Sequence, residues 1–463
     1  MGLRMIGRNW VALVGVAVWC LGLAVGTSSA SALKVTWMAG FRAPGTPARY
    51  DKVGVIKVGP ASARNVLVLE PGTSAAAAYF VPLAKWVVAT AKGWQVWAVQ
   101  RRESLLQDES VLNLAKEGKA SNQEVFNYYL GWLADPSIKT HIRSVTDSSM
   151  GFARDWGLNV AVQDLHRVIE AAKRLGGEVV LGGHSLGGSV VTAYATWDFN
   201  GRPGAEDLAG LVYDDGGSFT TPVTAQAATQ ELQTLRVSTP WLAFSGIPAP
   251  YLGLFSATGS IGALIDPNAP ALGQSFALLP AALKAPIPVT NLALFGYDTD
   301  VKTSKLSFAS QVHVGQLNTS VTPAGWSRAG AITPIKRWAM MLAGWGVENA
   351  DGTEWYFPQR LTDDTGAVGN GIANPAQRVL DVHATMGRRL PKRLLIYAFG
   401  AYGGQAILDA ARALAKQSHI PAANLTLISR HGTYAHNDPA AAYPNNAFFS
   451  HLIPFLEHVA ADR

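Results

Sequence analysis

Ser185 stands in the pentapeptide GHSLG, residues 183–187, which has the pattern G-x-S-x-G. An apolar run at 178–182 precedes it, and a stretch with helical character follows it to about residue 196. A serine on a sharp turn between a strand and a helix projects its hydroxyl from the sheet edge, where the N–H groups of the helix N-terminus face developing negative charge. The pattern therefore predicts a nucleophilic serine. The alternative is a glycine-rich turn that holds a serine without a chemical role.

In this setting the sequence resembles the α/β-hydrolase superfamily, and the GHSLG form is similar to that of many esterases and lipases. The resemblance covers residues from about 50 to 217 and from about 390 to 460. It implies a mostly parallel sheet flanked by helices and a catalytic triad in the chain order serine, acid, histidine.

His436 lies in the sequence YAHNDP, residues 434–439, after the last predicted strand, and this segment resembles the catalytic-histidine loop of the family. A neutral serine is a weak nucleophile and needs such a base within hydrogen-bond reach. His431, five residues earlier, is the rival base. We expect Asp438 to structure the loop rather than to belong to the triad.

The carboxylate that orients the base has two candidate positions. The strand at which the family usually carries it ends here in FGAYGG, residues 399–404, with no acid. The preceding strand ends in YDDGG, residues 213–217, and some members carry the acid there. Successive strand residues point to opposite faces, so only one of the pair faces the base. We predict Asp215, next to the glycines, with Asp214 as the alternative acid.

Two cap carboxylates, Asp298 and Asp300, are the next candidates for the acid if neither strand residue serves.

Residues 71–74, PGTS, follow the strand NVLVLE and resemble the first oxyanion loop of the family. The backbone N–H groups of Thr73 and Leu186 would then form the oxyanion hole. Gly72 would let the chain turn close to the substrate. Ser74 is an alternative donor, and an ordinary turn is the alternative interpretation.

Short apolar runs alternate with helical stretches along much of the chain, which is typical of a mostly parallel sheet wrapped by helices. The alternation stops between 218 and about 385, where Pro, Gly, Ala and aromatic residues are frequent. We therefore predict an α/β core in two parts, 33–217 and 391–463, with a large cap or lid inserted at 218–390, and the resemblance implies that this core has the α/β-hydrolase fold.

The first 32 residues have the pattern of a secretory signal peptide. Arg4 and Arg8 precede an apolar run at 10–25, and residues 30–32, ASA, match a small-x-small cleavage site. We predict cleavage after Ala32 and a secreted or periplasmic protein without a stable membrane anchor. A permanent anchor is the alternative, but the run is short for a span of ~20 residues. The single cysteine, Cys20, lies in this segment, so we expect no disulfide in the mature protein.

The net charge of +6 is mild, and no stripe of Lys and Arg is interleaved with aromatic residues, so we predict no nucleic-acid partner. His313, Asp363 and Asp364 lack metal-ligand spacing, and we predict neither a metal nor another cofactor. The predicted function is hydrolysis of a small-molecule or lipid-like carboxylic ester through an acyl-enzyme. The alternatives are an amidase, peptidase or lactonase with the same triad, and a binding protein on a catalytically dead hydrolase scaffold.

Overall fold

The described residues of this computed structural model, 32–218 and 220–461, are organised around a nine-stranded sheet. The strands of the chain are β1 Leu33–Ala39, β2 Lys52–Val58, β3 Asn65–Glu70, β4 Trp94–Gln100, β5 Val179–His184, β6 Asp198–Phe199, β7 Arg202–Pro203, β8 Gly210–Asp214, β9 Gln316–Asn318, β10 Gly325–Ser327, β11 Val347–Glu348, β12 Leu395–Gly400 and β13 Leu425–Ser429. The large sheet has the order β11-β1-β2-β4-β3-β5-β8-β12-β13. From β4 to β13 in this order all neighbours are parallel, whereas β2 runs antiparallel to β1 and to β4.

Helices pack on both faces of this sheet. They are α1 Val81–Thr90, α2 Ser110–Lys116, α3 Asn122–Tyr129, α4 Leu158–Lys173, α5 Leu186–Thr196, α6 Ala225–Val237, α7 Tyr251–Ile265, α8 Leu272–Ser275, α9 Asn291–Thr299, α10 Ile335–Ala343, α11 Gln359–Thr365, α12 Pro375–Leu380, α13 Gly404–Gln417, α14 Asp438–Ala441 and α15 Ala447–Ala461. One core cluster lies between the sheet and α4, α5 and α13, and a second lies between the sheet and α1, α10 and α15. The predicted mostly parallel sheet flanked by helices is confirmed.

The central strands β4, β5, β8 and β12 are buried along their whole lengths, as parallel strands covered by helices must be. Their apolar runs make these strands recognisable in the sequence, as the run at 178–182 does for β5. Strand β1 is different, because its residues alternate largely between half-buried and exposed positions near the edge of the sheet. The sequence analysis did not assign β1 or the two-residue edge strand β11.

The segment predicted as a cap, 218–390, packs against the core at several places. Helices α6, α11 and α12 contribute to the first core cluster beside α4 and α5, and α10 contributes to the second. Strand β11 pairs with β1 and so adds an edge strand to the large sheet. A third cluster joins α7 and α9 to α2 and α3. Helices α2 and α3 precede Ser185 in the chain, whereas α7 and α9 follow it. The third cluster is therefore built from residues on both sides of the predicted boundary at 217.

The predicted signal peptide lies outside the described residues, apart from Ala32. Within the described part of the chain, no helix is both long enough and apolar enough to cross a membrane.

Candidate active site

The turn at Ser185 joins the carboxyl end of β5 to α5 and holds the serine in strained backbone geometry. Ser185 has φ 56° and ψ −125°, a combination that non-glycine residues rarely adopt. A Cβ on Gly183 would lie 2.3 Å from the carbonyl oxygen of Gly187, and one on Gly187 would lie 2.2 Å from that of Glu70. Both glycines of the pentapeptide are therefore required by the close approach of β3, β5 and α5.

Two further glycines bring neighbouring loops against this turn. A Cβ on Gly72, after β3, would lie 2.8 Å from Cβ of Ser185. A Cβ on Gly216, after β8, would lie 2.1 Å from the carbonyl oxygen of Ser185, whereas one on Gly217 would meet nothing closer than 4.0 Å. The loops that follow three adjacent parallel strands thus meet around the serine.

Asp215 and His436 form a hydrogen-bonded pair at the same edge of the sheet. Nδ1 of His436 lies 2.6 Å from Oδ2 of Asp215, and both side chains are buried. The other oxygen, Oδ1, accepts hydrogen bonds from the backbone N–H groups of Ala401 at 2.7 Å and Gly403 at 2.9 Å. Strand β12 ends without a carboxylate, and the chain after it supplies the two amides that hold Asp215.

Asp214 makes none of these contacts. Both of its carboxylate oxygens are buried without a hydrogen-bond partner among the described residues. Burial and the adjacent charge of Asp215 raise the pKa of Asp214 well above its usual range, which favours the neutral form of this carboxyl group. The structure therefore brings Asp215, and not Asp214, to His436.

His431 occupies a different environment from His436. Its Nδ1 lies 3.3 Å from the carbonyl oxygen of Ala401 and 3.2 Å from that of Tyr402, and the residue is exposed. No ion pair links His431 to a carboxylate in the part of the chain that the structure describes. Of the two predicted bases, only His436 is paired with an acid.

Asp438 structures the histidine loop, as the sequence analysis expects. Its Oδ2 accepts a hydrogen bond from the N–H of Ala435 at 2.7 Å and lies 2.5 Å from Nδ1 of His313. Its Oδ1 accepts from the N–H of His313 at 3.0 Å and from the hydroxyl of Thr333 at 2.8 Å. The hydrogen bond that His313 donates to Asp438 raises the pKa of His313. Because His313 and Thr333 belong to the inserted segment, Asp438 fastens the loop of His436 to that segment.

His184, the residue before the serine, holds the backbone of His436. Its Nε2 lies 3.0 Å from the carbonyl oxygen of His436, so Nε2 carries the proton. Its ring stacks on Tyr79 at a centroid distance of 5.2 Å. Burial, followed by the proximity of His436, lowers the pKa of His184 well below its usual range. The ring is therefore neutral and positions the loop without adding charge.

The loop after β3 places Thr73 beside the Ser185 turn. Ser74 has a positive φ of 55°, and its carbonyl oxygen accepts a hydrogen bond from the N–H of Glu354 at 2.9 Å. Among the described residues, no acceptor lies within hydrogen-bond reach of the N–H of Thr73 or of Leu186. Both predicted oxyanion donors are therefore available to a ligand.

Arg101, which directly follows β4, binds the carbonyl groups of this loop. Its Nη2 donates to the carbonyl oxygen of Pro71, and both terminal nitrogens lie 3.4 Å from that of Gly72. Nη1 also lies 3.5 Å from the carbonyl oxygen of Ala75. The carbonyl group of Gly72 and the N–H of Thr73 belong to one planar trans peptide and point in opposite directions. By binding the Gly72 carbonyl, Arg101 turns the Thr73 N–H away from itself.

Two buried carboxylates hold this guanidinium in place. Oε1 of Glu70 lies 2.7 Å from Nε of Arg101, and Oε2 of Glu354 lies 2.7 Å from Nη1. Burial lowers the pKa of Arg101, but the charges of Glu354 and Glu70 outweigh that effect and raise it. The sequence analysis missed Arg101. Its signal is the charged run 101–103, RRE, directly after a fully buried strand.

A cavity adjoins the oxyanion loop and extends between helices of the third core cluster. It encloses about 1230 Å³ of empty space, its solvent mouth included. Thr73, Ser74 and Asn437 form the part of its wall that is next to the site in sequence. The rest of the wall is mostly apolar and includes Phe126, Leu252, Phe255, Leu294, Phe295 and Leu342.

One group of side chains within the described residues has metal-ligand spacing. The ligand atoms of His166, Glu170 and Asp207 lie within 4.8 Å of one another. Nζ of Lys173 lies 3.1 Å from Glu170 and 2.5 Å from Asp207, so an ammonium group already balances these carboxylates. We assign no metal to this group.

The chain has the α/β-hydrolase fold, because its strand order, its strained serine turn after β5 and its histidine after the last strand are those of that fold. The thioesterase domain from the curacin biosynthetic pathway is similar over 92% of this chain and 100% of that one, with 12% identity and a TM-score of 0.41. A carboxylesterase of the thaumarchaeon Nitrososphaera gargenis has 11% identity and a TM-score of 0.40 over 92% and 100% of the two chains. A thermophilic esterase from Thermogutta terrifontis has 12% identity and a TM-score of 0.38 over 92% and 99%.

These TM-scores are below 0.5, so the fold assignment rests on the strand order and on the turn at Ser185. No family model and no curated protein sequence matches the chain.

A lysine substitution tests whether the contacts of Arg101 position the loop after β3. Arg101→Lys keeps the positive charge but cannot bind the loop carbonyls, Glu70 and Glu354 at once. We expect kcat for a p-nitrophenyl ester to fall roughly ten- to a hundredfold, with a smaller change in KM, because a displaced oxyanion donor weakens binding of the transition state.

Arg102→Lys is the matched control. Arg102 is also buried, but its partners are Asp164, Asp51 and the carbonyl of Phe41, none of which belongs to the oxyanion loop. Activity per active site, titrated with a fluorophosphonate, should stay near the wild-type value in this variant. Equal kcat values in the two variants would show that Arg101 does not position the loop.

Proposed function

We propose that the protein is a secreted serine hydrolase that cleaves carboxylic esters, with Ser185 as nucleophile, His436 as base and Asp215 as the carboxylate that orients the base. The observation that carries this proposal is the 2.6 Å contact between His436 and Asp215 at the sheet edge where Ser185 occupies a strained turn. A nucleophile, a base and an orienting acid at adjacent strand ends form the arrangement that activates a serine.

In the proposed reaction, Oγ of Ser185 attacks the carbonyl carbon of the ester while His436 takes the hydroxyl proton. The N–H groups of Thr73 and Leu186 stabilise the negative charge that develops on the carbonyl oxygen. The bond to the alcohol then breaks, and His436 returns the proton to the departing oxygen. Water, activated by the same histidine, attacks the acyl-enzyme and releases the acid. No cofactor takes part.

The charges around the base favour this sequence of steps. The imidazolium that forms on His436 lies against the carboxylate of Asp215. Burial lowers the pKa of His184 and so favours its neutral ring, and burial together with Asp215 raises the pKa of Asp214 and favours its neutral carboxyl form. The transient positive charge therefore meets one carboxylate and no nearby positive ring, which stabilises it.

Labelling with a fluorophosphonate, together with turnover of p-nitrophenyl esters, tests the proposal. The wild-type protein should be labelled at Ser185 and should hydrolyse esters faster than matched anilides. Ser185→Ala should lose the label and several orders of magnitude in kcat while keeping its melting temperature. A catalytically dead scaffold would not react with the label, and an amidase would favour the anilides.

His436→Ala and His431→Ala form a control pair for the base. We expect the first to be inactive and the second to keep its activity, because only His436 is paired with an acid. The reverse outcome would assign the base to His431.

The two neighbouring acids permit a sharper test of the triad. Asp215→Asn should lower kcat by orders of magnitude, because an amide stabilises the wrong tautomer of the imidazole. Asp214→Asn should be nearly normal in kcat. It should also melt at a higher temperature than the wild type at pH 7, because a carboxyl group whose pKa is raised on folding destabilises the folded state at that pH.

The linkage sign sets the pH range of that stability difference. A carboxyl group whose pKa is raised on folding destabilises the fold as pH rises above the unfolded value of 3.8, so the gain of Asp214→Asn should shrink as pH falls towards 4. Loss of activity in Asp214→Asn with normal activity in Asp215→Asn would exchange the two roles.

We also propose export of the protein with removal of residues 1–32. N-terminal sequencing of protein recovered outside the cytoplasmic membrane should begin at Leu33. A membrane-bound product that retains the apolar run at 10–25 would contradict this and indicate an anchor.

A further inference from the structure

The cavity beside the oxyanion loop contains one carboxyl group. Asp298, near the end of α9, lines the cavity, and among the described lining residues there is no other Asp or Glu and no Lys, Arg or His. Oδ1 of Asp298 is buried without a hydrogen-bond partner among the described residues. A buried polar atom without a partner destabilises a fold, so this carboxyl group calls for a partner that the chain itself does not supply.

Two other carboxylates, Asp300 and Asp438, illustrate the contrast. Asp300 accepts hydrogen bonds from the N–H groups of Lys302, Val314 and Gly315, and Asp438 accepts four hydrogen bonds. Both therefore fasten loops of the inserted segment. Asp298 accepts no hydrogen bond from another described residue, although it stands only two residues before Asp300.

The surroundings of Asp298 decide the charge of its ligand. Burial raises the pKa of Asp298 well above its usual range, with no charged neighbour as a cause, which favours the protonated, uncharged form. A protonated carboxyl group both donates and accepts hydrogen bonds. A neutral hydroxyl on the ligand satisfies both capacities without burying a charge, whereas an ammonium group would require a charged pair inside a mostly apolar wall.

We propose that Asp298 selects esters whose otherwise apolar chain carries an uncharged hydroxyl group at the depth of Asp298 in the cavity. The inference rests on the proposed function only in naming esters as the molecules that bring this chain to Ser185. Asp298 is a specificity-determining residue and takes no part in bond cleavage. The sequence analysis named Asp298 as a further candidate for the acid of the triad, and the present proposal gives it a different role.

The test compares p-nitrophenyl esters whose acyl chains end in a hydroxyl, a methyl or an ammonium group, each over a series of chain lengths. In the wild type, the hydroxyl-to-methyl ratio of kcat/KM should rise at one chain length and not at others, because Asp298 lies at one depth. Asp298→Leu should lower that ratio at least about fivefold, the effect of leaving one hydrogen bond unmade. Asp298→Asn should keep most of it, because an amide also donates and accepts.

Glu231→Leu is the matched control. Glu231 on α6 also has a buried oxygen without a partner among the described residues and a pKa raised by burial, but it does not line the cavity. Its hydroxyl-to-methyl ratio should equal that of the wild type. Ratios are taken within each variant, so a difference in the folded fraction cancels. A flat ratio across chain lengths in the wild type overturns the proposal even if Asp298→Leu does not fold.

A binding measurement separates this inference from the proposed function. Calorimetry of n-alkanols and of α,ω-diols of equal length needs no hydrolysis, and the diol-to-alkanol affinity ratio should fall at least about fivefold on Asp298→Leu. That result without cleavage of any ester would refute the proposed function and leave the role of Asp298 intact. An unchanged affinity ratio, or a larger effect of Asp298→Leu on the ammonium esters than on the hydroxyl esters, would overturn the inference.

Discussion

A buried cation, the guanidinium of Arg101, is the constraint on which the site depends. A charge inside a protein must be paired and fully hydrogen-bonded, so the groups around it are not free to move. Here those groups are Glu70 at the end of β3, Glu354 from the inserted segment, and the carbonyls of the loop that starts at Pro71. The same contacts that satisfy the cation turn the loop's carbonyl groups inward and its Thr73 N–H outward. Because the buried guanidinium must be paired, the direction of the Thr73 N–H is fixed as well.

A second constraint is the edge of a parallel sheet, where the strands β5, β8 and β12 end side by side. Hydrogen bonds with backbone groups hold the polar residues at this edge. Two amides hold Asp215, and the carbonyl of His436 accepts from His184. The side chain of Asp215 is thus held by the main chain that follows β12, and the main chain at His436 is held by the ring of His184. This explains why the glycines that admit close backbone contact are as important to the site as the polar residues.

The parts that the sequence predicts are those specified by local patterns. The pattern around Ser185 is readable because the strain of one turn and the contacts of two glycines impose it. Alternation along the strand indicates that only one acid of the pair faces the base, and the adjacent glycines favour Asp215. The role of Arg101 depends on Glu354, 253 positions away, and that of Asp438 depends on His313, 125 positions away. No local periodicity encodes such partners. The sequence analysis did not assign the edge strands β1 and β11, because a half-exposed or two-residue strand has little apolar pattern.

The buried carboxyl groups in and beside the inserted segment differ in whether the chain supplies them with hydrogen-bond partners. Asp300 in this segment accepts hydrogen bonds from three backbone amides, and Asp438 in the histidine loop accepts from two, so both buried carboxylates have structural partners. Replacing an unpartnered buried carboxyl group with an apolar side chain usually stabilises a fold. Asp298 has no structural partner to offset that penalty among the described residues, and it faces a cavity that adjoins the oxyanion loop. Because Asp298 lines the cavity and lacks such a partner, we infer that it acts on the molecule that fills the cavity.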